Sequence, residues 1–238
     1  MTGADLGPVL VVSGTGTEVG KTVVTAAIAA LAVGNGRRVA VVKPAQTGEP
    51  PGPTGDLQVI RRLSGVTRTC ELARFPDPLS PEAAARAAGR PPLDLAAAAV
   101  LIKELPGEAD LVLVEGAGGL LVRYDPAGGT IADLAAMLGA PVLVVTTAGL
   151  GTLNHTALTL EALRSRRLTP AGVVIGSWPA EPGLAERANR TDLPVIAGGP
   201  LAGALPTGAA GLSRAGFLAA ARAGLSPALG GTFQDQTN

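Results

Sequence analysis

Three lysines, Lys21, Lys43 and Lys103, stand against sixteen arginines in this chain of 238 residues. Where arginine is so preferred, a retained lysine marks a position that needs a compact ammonium in place of a planar fork. Lys21 closes the run Gly14-Thr15-Gly16-Thr17-Glu18-Val19-Gly20-Lys21-Thr22, which follows a short apolar stretch and opens an alanine-rich one. Such a run is a phosphate loop. Its glycines let backbone N–H groups turn inward around phosphate oxygens and the helix N-terminus adds positive potential, while Lys21 bridges β- and γ-phosphates and the Thr22 hydroxyl ligates Mg²⁺. Thr17, Glu18, Val19, Gly20, Lys21, Thr22 and Val23 are therefore expected to bind nucleotide. The loop is a lengthened variant, since Thr15 holds the place of the usual first glycine and Gly14 lies one residue earlier. A dinucleotide fingerprint is disfavoured: its third glycine is replaced by Val19, and the second strand ends in Lys43 where an acid would be needed.

Mg²⁺ bound to a nucleotide keeps several waters and takes few protein ligands, so carboxylates at the ends of neighbouring strands are the next candidates. Glu115 follows Leu111-Val112-Leu113-Val114 and precedes Gly116-Ala117-Gly118-Gly119, which places it where an open sheet binds ligands. Gly116, Ala117 and Gly118 offer backbone flexible enough to approach phosphate. Asp56 opens a helix after a Gly/Pro loop, and a plain N-cap explains it as well as metal ligation does. Lys43 begins Lys43-Pro44-Ala45-Gln46-Thr47-Gly48; proline is expected to stop the strand, and a buried ammonium there demands an anion, although a surface lysine capping a strand end is the plainer reading.

These residues need a frame that brings strand ends together. Short β-branched runs over 9–13, 39–43, 111–115, 142–146 and 173–175 alternate with helical segments over 22–33, 56–63, 81–88, 93–104, 131–138, 153–166 and 214–223. Continuous apolar runs without polar alternation predict strands covered on both faces, and the intervening helices supply parallel crossovers. The fold class is α/β: a single domain over 1–225 with a doubly wound, mostly parallel sheet and helices on both faces. Segments 44–55 and 198–203 read as working loops and the polar tail 226–238 as disordered.

Composition narrows the function. Acidic and basic residues number 19 each, so no net field recruits nucleic acid or an anionic membrane. Apolar runs such as 95–102 fall far below the ~20 residues of a membrane span, and 9–12 is too short for a signal peptide. Cys70, the one cysteine, can form no internal disulfide, and the expected location is the cytoplasm. The sole histidine, His155, is expected to serve helix packing or an interface, and Trp178 to anchor a loop or stack on a base.

Four motifs in one order, Gly-Thr-Gly-Thr-Glu-Val-Gly-Lys-Thr, Lys-Pro-Ala-Gln-Thr-Gly, Val-Glu-Gly-Ala-Gly-Gly and Leu-Gly-Thr-Leu-Asn-His, resemble those of the dethiobiotin synthetase family over about 9–208. The resemblance implies an ATP- and Mg²⁺-dependent closure of a ureido ring. CO₂, supplied as bicarbonate, forms a carbamate on 7,8-diaminopelargonate; a nucleoside triphosphate phosphorylates it; the second amine then attacks the carbamic-phosphoric anhydride. It further implies that Lys43 acts at the carbamate and transferred phosphoryl and that Thr47 binds substrate. Thr22, Asp56 and Glu115 become the Mg²⁺ set. Gly151, Thr152, Leu153 and Asn154, opening a helix, receive the substrate tail from a neighbouring subunit of a homodimer. One departure concerns the base: where many relatives carry an adenine-reading Asn, this chain has Gly176-Ser177. Backbone around Gly176, Ser177, Pro206, Thr207 and Gly208 is expected to contact the base and to accept CTP or another nucleotide as readily as ATP. A rival reading is a switch ATPase of the partitioning or septum-positioning type, whose phosphate loop carries an extra early lysine absent from residues 14–17. A second, an amidotransferring synthetase of the cobyrinate type, needs a glutaminase domain for which 238 residues leave no room.

Overall fold

The alternation that lets strands bury both faces is clearest in the first one, β1 (Val9–Gly14), where Leu10 and Val12 enter one apolar cluster while Val9 and Val11 enter another. The computed structural model describes residues 7–235. Within them, β1 is joined by β2 (Val39–Thr47), β3 (Arg68–Phe75), β4 (Leu111–Gly119), β5 (Val142–Thr146), β6 (Pro170–Trp178) and β7 (Gly203–Pro206). They form one sheet in the order β3-β2-β4-β1-β5-β6-β7, and each neighbouring pair runs parallel. The first cluster lies under α1 (Lys21–Gly34), α2 (Asp56–Ser64) and α8 (Arg214–Gly224). The second lies under α3 (Pro81–Ala87), α4 (Leu95–Glu104), α5 (Ile131–Leu138), α6 (Thr152–Ser165) and α7 (Leu184–Ala197).

Helix α1 buries Ala26, Ala27, Ala29, Ala30 and Ala32 together with Val24, Ile28 and Leu31. A helix apolar on most sides belongs in an interior, and its small side chains let it lie close to the sheet between α2 and α8. Other termini follow their capping residues: Asp94 accepts from the Ala97 N–H to open α4, and Thr130 with Asp133 forms a capping box on α5.

Several expectations are corrected. Pro44 does not stop its strand: β2 pairs with β4 only over Val39–Val42, then continues against β3 through Ala45, Gln46 and Thr47. A proline is tolerated once one neighbour has departed, because its missing N–H no longer leaves a gap in that ladder. Residues 44–47 are thus strand, and the loop is confined to 48–55. Strand β3 was unforeseen because, at the sheet edge, it mixes Arg68, Glu71 and Arg74 with apolar residues and stays half-buried. Helix α7 contains Pro194 and buries only Asn189 and Leu193, leaving a weak apolar stripe. Gly203, taken as loop, opens the short edge strand β7. Ser226–Asp235 is packed rather than disordered: Leu229 is buried, Thr232 N–H bonds Arg222 O at 2.7 Å, Phe233 N–H bonds Leu225 O at 2.8 Å, and Asp235 pairs with Arg190. Residues 236–238 lie outside the described range.

Candidate active site

The doubly wound order sends chain out from β1 to β2 and β3, then back to β4 between β1 and β2, so the carboxyl ends of β1, β2 and β4 lie side by side. Such a crevice is where open α/β sheets bind ligands. After β1 the backbone turns through Glu18 (φ 59) and Gly20 (φ 95), while Val19 is anchored in the core with 5% exposure. Lys21, the first residue of α1, curls back so that Nζ donates to Gly16 O at 2.7 Å. The ammonium therefore lies over the loop.

Gly176 explains its own side-chain absence. A Cβ there would fall 2.0 Å from Val19 O and 3.0 Å from Gly20 Cα, and a Cβ on Gly20 would meet Gly176 O at 2.9 Å. The phosphate loop crosses the end of β6 backbone to backbone, and no larger residue fits at 176 with the loop in this place.

From β2, Lys43 reaches the end of β4. Its Nζ pairs with Asp56 Oδ2 at 2.5 Å, donates to Glu115 Oε1 at 2.8 Å and donates to Gly116 O at 3.2 Å, so each ammonium proton has an acceptor. Thr22 Oγ1 lies 3.0 Å from both Asp56 Oδ1 and Glu115 Oε1. Asp56 is not an N-cap. That place belongs to Gly55, while the Asp56 N–H donates to Gln46 Oε1 at 2.9 Å and leaves the carboxylate free for Lys43 and Thr22.

The electrostatics follow from this clustering. Burial lowers the Lys21 ammonium to about 8, helped by the nearby Lys43 charge and opposed by Glu115 and Asp56. Burial also acts downward on Lys43, but the charges and hydrogen bonds of Glu115 and Asp56 outweigh it and hold that ammonium above its ordinary range. Asp56 feels burial upward and is nonetheless held below the usual carboxylate value, chiefly by Lys43.

Glu115 is fully buried, and its Oε2 has no hydrogen-bond partner. Among the described residues no cluster of three or more His, Cys, Asp or Glu side chains is poised for a metal. Two carboxylates and a hydroxyl, one carboxylate oxygen still unsatisfied, fit Mg²⁺ that keeps waters and accepts phosphate oxygens, and do not suit a protein-only cage.

A cavity of about 420 Å³ opens above these groups, lined by Thr17, Glu18, Gly20, Lys21, Thr22, Val23, Lys43, Thr47, Asp56, Ala117 and Gly118 among the expected residues. Glu115 lies beneath it through its contact with Lys43. Gln46 and Glu49 also line it and were not nominated, although Gln46 stands inside the Lys-Pro-Ala-Gln-Thr-Gly motif. Tyr124 was missed too: it is fully buried, and its hydroxyl accepts from the Ala117 N–H at 2.7 Å, pinning the backbone after Glu115.

The remaining expected residues stand outside that lining. Ser177 Oγ and Thr207 Oγ1 share a hydrogen bond of 2.7 Å, Pro206 is registered with Trp178, and Gly208 adopts φ 80. Trp178 is stacked by Arg190, whose guanidinium also covers Phe233, at 5.4 and 4.9 Å. Gly151 (φ 89) precedes α6, which Thr152 opens with Leu153 and Asn154 in its first turn. His155 is exposed on the same helix.

Known proteins share much of this sequence or its fold. A family model described as an AAA domain matches residues 9–210. The ATP-dependent dethiobiotin synthetase BioD of Frankia casuarinae is 64% identical over 227 residues, covering 95% of each chain. That of Streptomyces coelicolor is 59% identical over 226 residues, again covering 95% of each. Among solved structures, the septum site-determining protein MinD with Mg-ADP from Pyrococcus horikoshii superposes with a TM-score of 0.55 at 19% identity, over 89% of this chain and 85% of that one. A ParA family ATPase from Chlorobium tepidum gives 0.55 at 16% identity, over 90% of each. At such identities the structural likeness shows a shared P-loop fold and nothing of the partitioning switch, whereas near-full-length identity shows kinship: the chain belongs to the family of ATP-dependent dethiobiotin synthetases, ligases that form C–N bonds.

Proposed function

We propose that this enzyme converts 7,8-diaminopelargonate and CO₂ to dethiobiotin through a carbamate and a carbamic-phosphoric anhydride, using Mg²⁺ and a nucleoside triphosphate. The observation that carries the reading is the meeting of two ammonium groups, Lys21 from the phosphate loop and Lys43 from β2, in the lining of one cavity. Lys21 and the N-terminus of α1 hold the phosphates. Lys43, kept protonated by Glu115 and Asp56, acts as a fixed positive charge for carbamate and transferred phosphoryl oxygens; a group so held is no general base. Thr22, Asp56 and Glu115 would hold Mg²⁺, which would neutralise charge on the phosphates. Thr47 orients the substrate. No covalent enzyme intermediate is required, so catalysis consists of placement and charge stabilisation.

The substrate carboxylate is assigned to the first turn of α6 over Gly151, Thr152, Leu153 and Asn154, where the Thr152 N–H already donates to Gly149 O at 3.3 Å, and the turn is contributed across a homodimer. Leu150 (93% exposed) beside this turn and Leu158 (56% exposed) along α6 support a covering second copy. Backbone around Gly176, Pro206 and Gly208, with Ser177 and Thr207, reads the base. No helix among the described residues is long and apolar enough to cross a membrane, and a cytoplasmic location is part of this proposal.

Incubation with diaminopelargonate, bicarbonate, Mg²⁺ and a panel of nucleotides tests the assignment by dethiobiotin formed against phosphate released. Phosphate release without dethiobiotin counts against it. Competition between ATP and CTP tests the base reading, strong ATP preference being the adverse result.

A further inference from the structure

Four threonine hydroxyls connect the phosphate loop with the start of α6, and their donors and acceptors can be assigned. Thr152 Oγ1 donates to Thr147 O at 2.7 Å, so its one proton is committed and the 2.6 Å contact with Thr146 has Thr146 as donor. Thr146, its own proton spent, must accept from Thr156 at 2.9 Å and from Thr15 at 3.3 Å. Thr146, Thr152 and Thr156 are all 0% exposed, so water cannot substitute for a lost partner. The phosphate loop is attached to the end of β5 a second time, through the Thr15 N–H to Val145 O at 2.9 Å. On the far side, Asn189 Nδ2 donates to Ala148 O and Gly149 O, each at 2.8 Å, and holds the β5–α6 connection shut. Thr146 does not line the cavity; whatever it does for the reaction it does through these neighbours.

We propose that Thr146 is a positioning residue whose hydroxyl fixes the phosphate loop and the first turn of α6 relative to one another, so that nucleotide and diaminopelargonate favour each other's binding. The inference rests on the assignment of the substrate carboxylate to α6. Nucleotide phosphates order the loop that bears Thr15; through Thr146 the same ordering places the α6 amides, and the second ligand then meets a turn already set. The effect is reciprocal, because a coupling free energy has no direction. If α6 serves the neighbouring subunit, the link runs from one protomer's nucleotide to the other's substrate.

The test measures binding of a non-hydrolysable nucleotide analogue by calorimetry with and without diaminopelargonate, in wild type, Thr146→Val and Thr146→Ser. Wild type is expected to show coupling of about fivefold or more. Thr146→Val should bind the analogue alone within about twofold of wild type yet lose the coupling, with KM for diaminopelargonate raised about three- to tenfold, and Thr146→Ser should restore both. Undiminished coupling in Thr146→Val, no coupling in wild type, or a serine variant as impaired as the valine one each overturns the assignment. Should Thr146→Val fail to fold, hydrogen exchange on wild type decides: the analogue alone slows exchange of the amides of residues 152–156, and unchanged exchange overturns the proposal. A wild-type chain that makes no dethiobiotin overturns the functional reading and this one together, whereas active wild type with normally coupled Thr146→Val removes this one only.

Discussion

Lys21 and Lys43 line the same cavity but are governed by opposite balances. Lys43 has two carboxylates against it and holds its proton tightly; Lys21 is buried beside another cation and gives its proton up near 8. Nucleotide phosphates restore the missing anions around Lys21, so the complex keeps a proton that the free protein loses. Affinity for nucleotide is therefore expected to fall by up to about tenfold for each pH unit above 8, measured by calorimetry, with Lys21→Ala both weak and free of this dependence. For Lys43→Gln, folding and nucleotide binding are expected to survive while turnover falls by about 10²- to 10³-fold; normal turnover would remove the role given to Lys43. Both lysines were legible in the sequence through their scarcity and their motifs. Tyr124 was not, because an isolated tyrosine in a loop gives no sign that its hydroxyl will meet the Ala117 N–H.

Elements decide what single residues cannot. The phosphate loop rests on the end of β6, and Gly176→Ala would place a methyl carbon 2.0 Å from Val19 O. Because the obstruction is backbone and not the tip of a flexible side chain, the loop must shift. The variant is expected to retain its fold and lose about tenfold or more in nucleotide affinity, while wild-type affinity in Gly176→Ala would show the contact to be without consequence. The sequence discloses a glycine at this position but not the strand that crosses it. The same holds for Asp56, where a cap and a ligand read alike until Gly55 is seen to take the cap. Interior strands were readable because apolar runs buried on both faces leave a continuous signal. Edge strands β3 and β7 and the partly exposed α7 were not, since a surface element needs no such run.

The molecule as a whole is a sheet between two helical layers, and its last described segment closes one of them. Leu229 packs under α1 and α8, and the backbone bonds of Thr232 and Phe233 to Arg222 and Leu225 finish the carboxyl end of α8. A chain ending at Leu225 loses burial worth about 1.5–3 kcal/mol for the leucine alone, and its melting temperature is expected to fall by about 5–10 °C in calorimetry. An unchanged melting point would return the segment to its first reading as a tail. Composition alone pointed that way because glycine, serine and threonine surround the two apolar anchors, and nothing local marks what they dock against.

The contact between Val19 and Gly176 also has a consequence for synthesis. A nascent chain still attached to the ribosome can form its first helix early, but β1 must wait for its neighbours β4 and β5, and the surface on which its twentieth residue settles does not exist until some 176 residues have emerged. Arrested chains released from the tunnel only as far as β5 should thus fail to retain nucleotide, and those extended beyond β6 should begin to hold it.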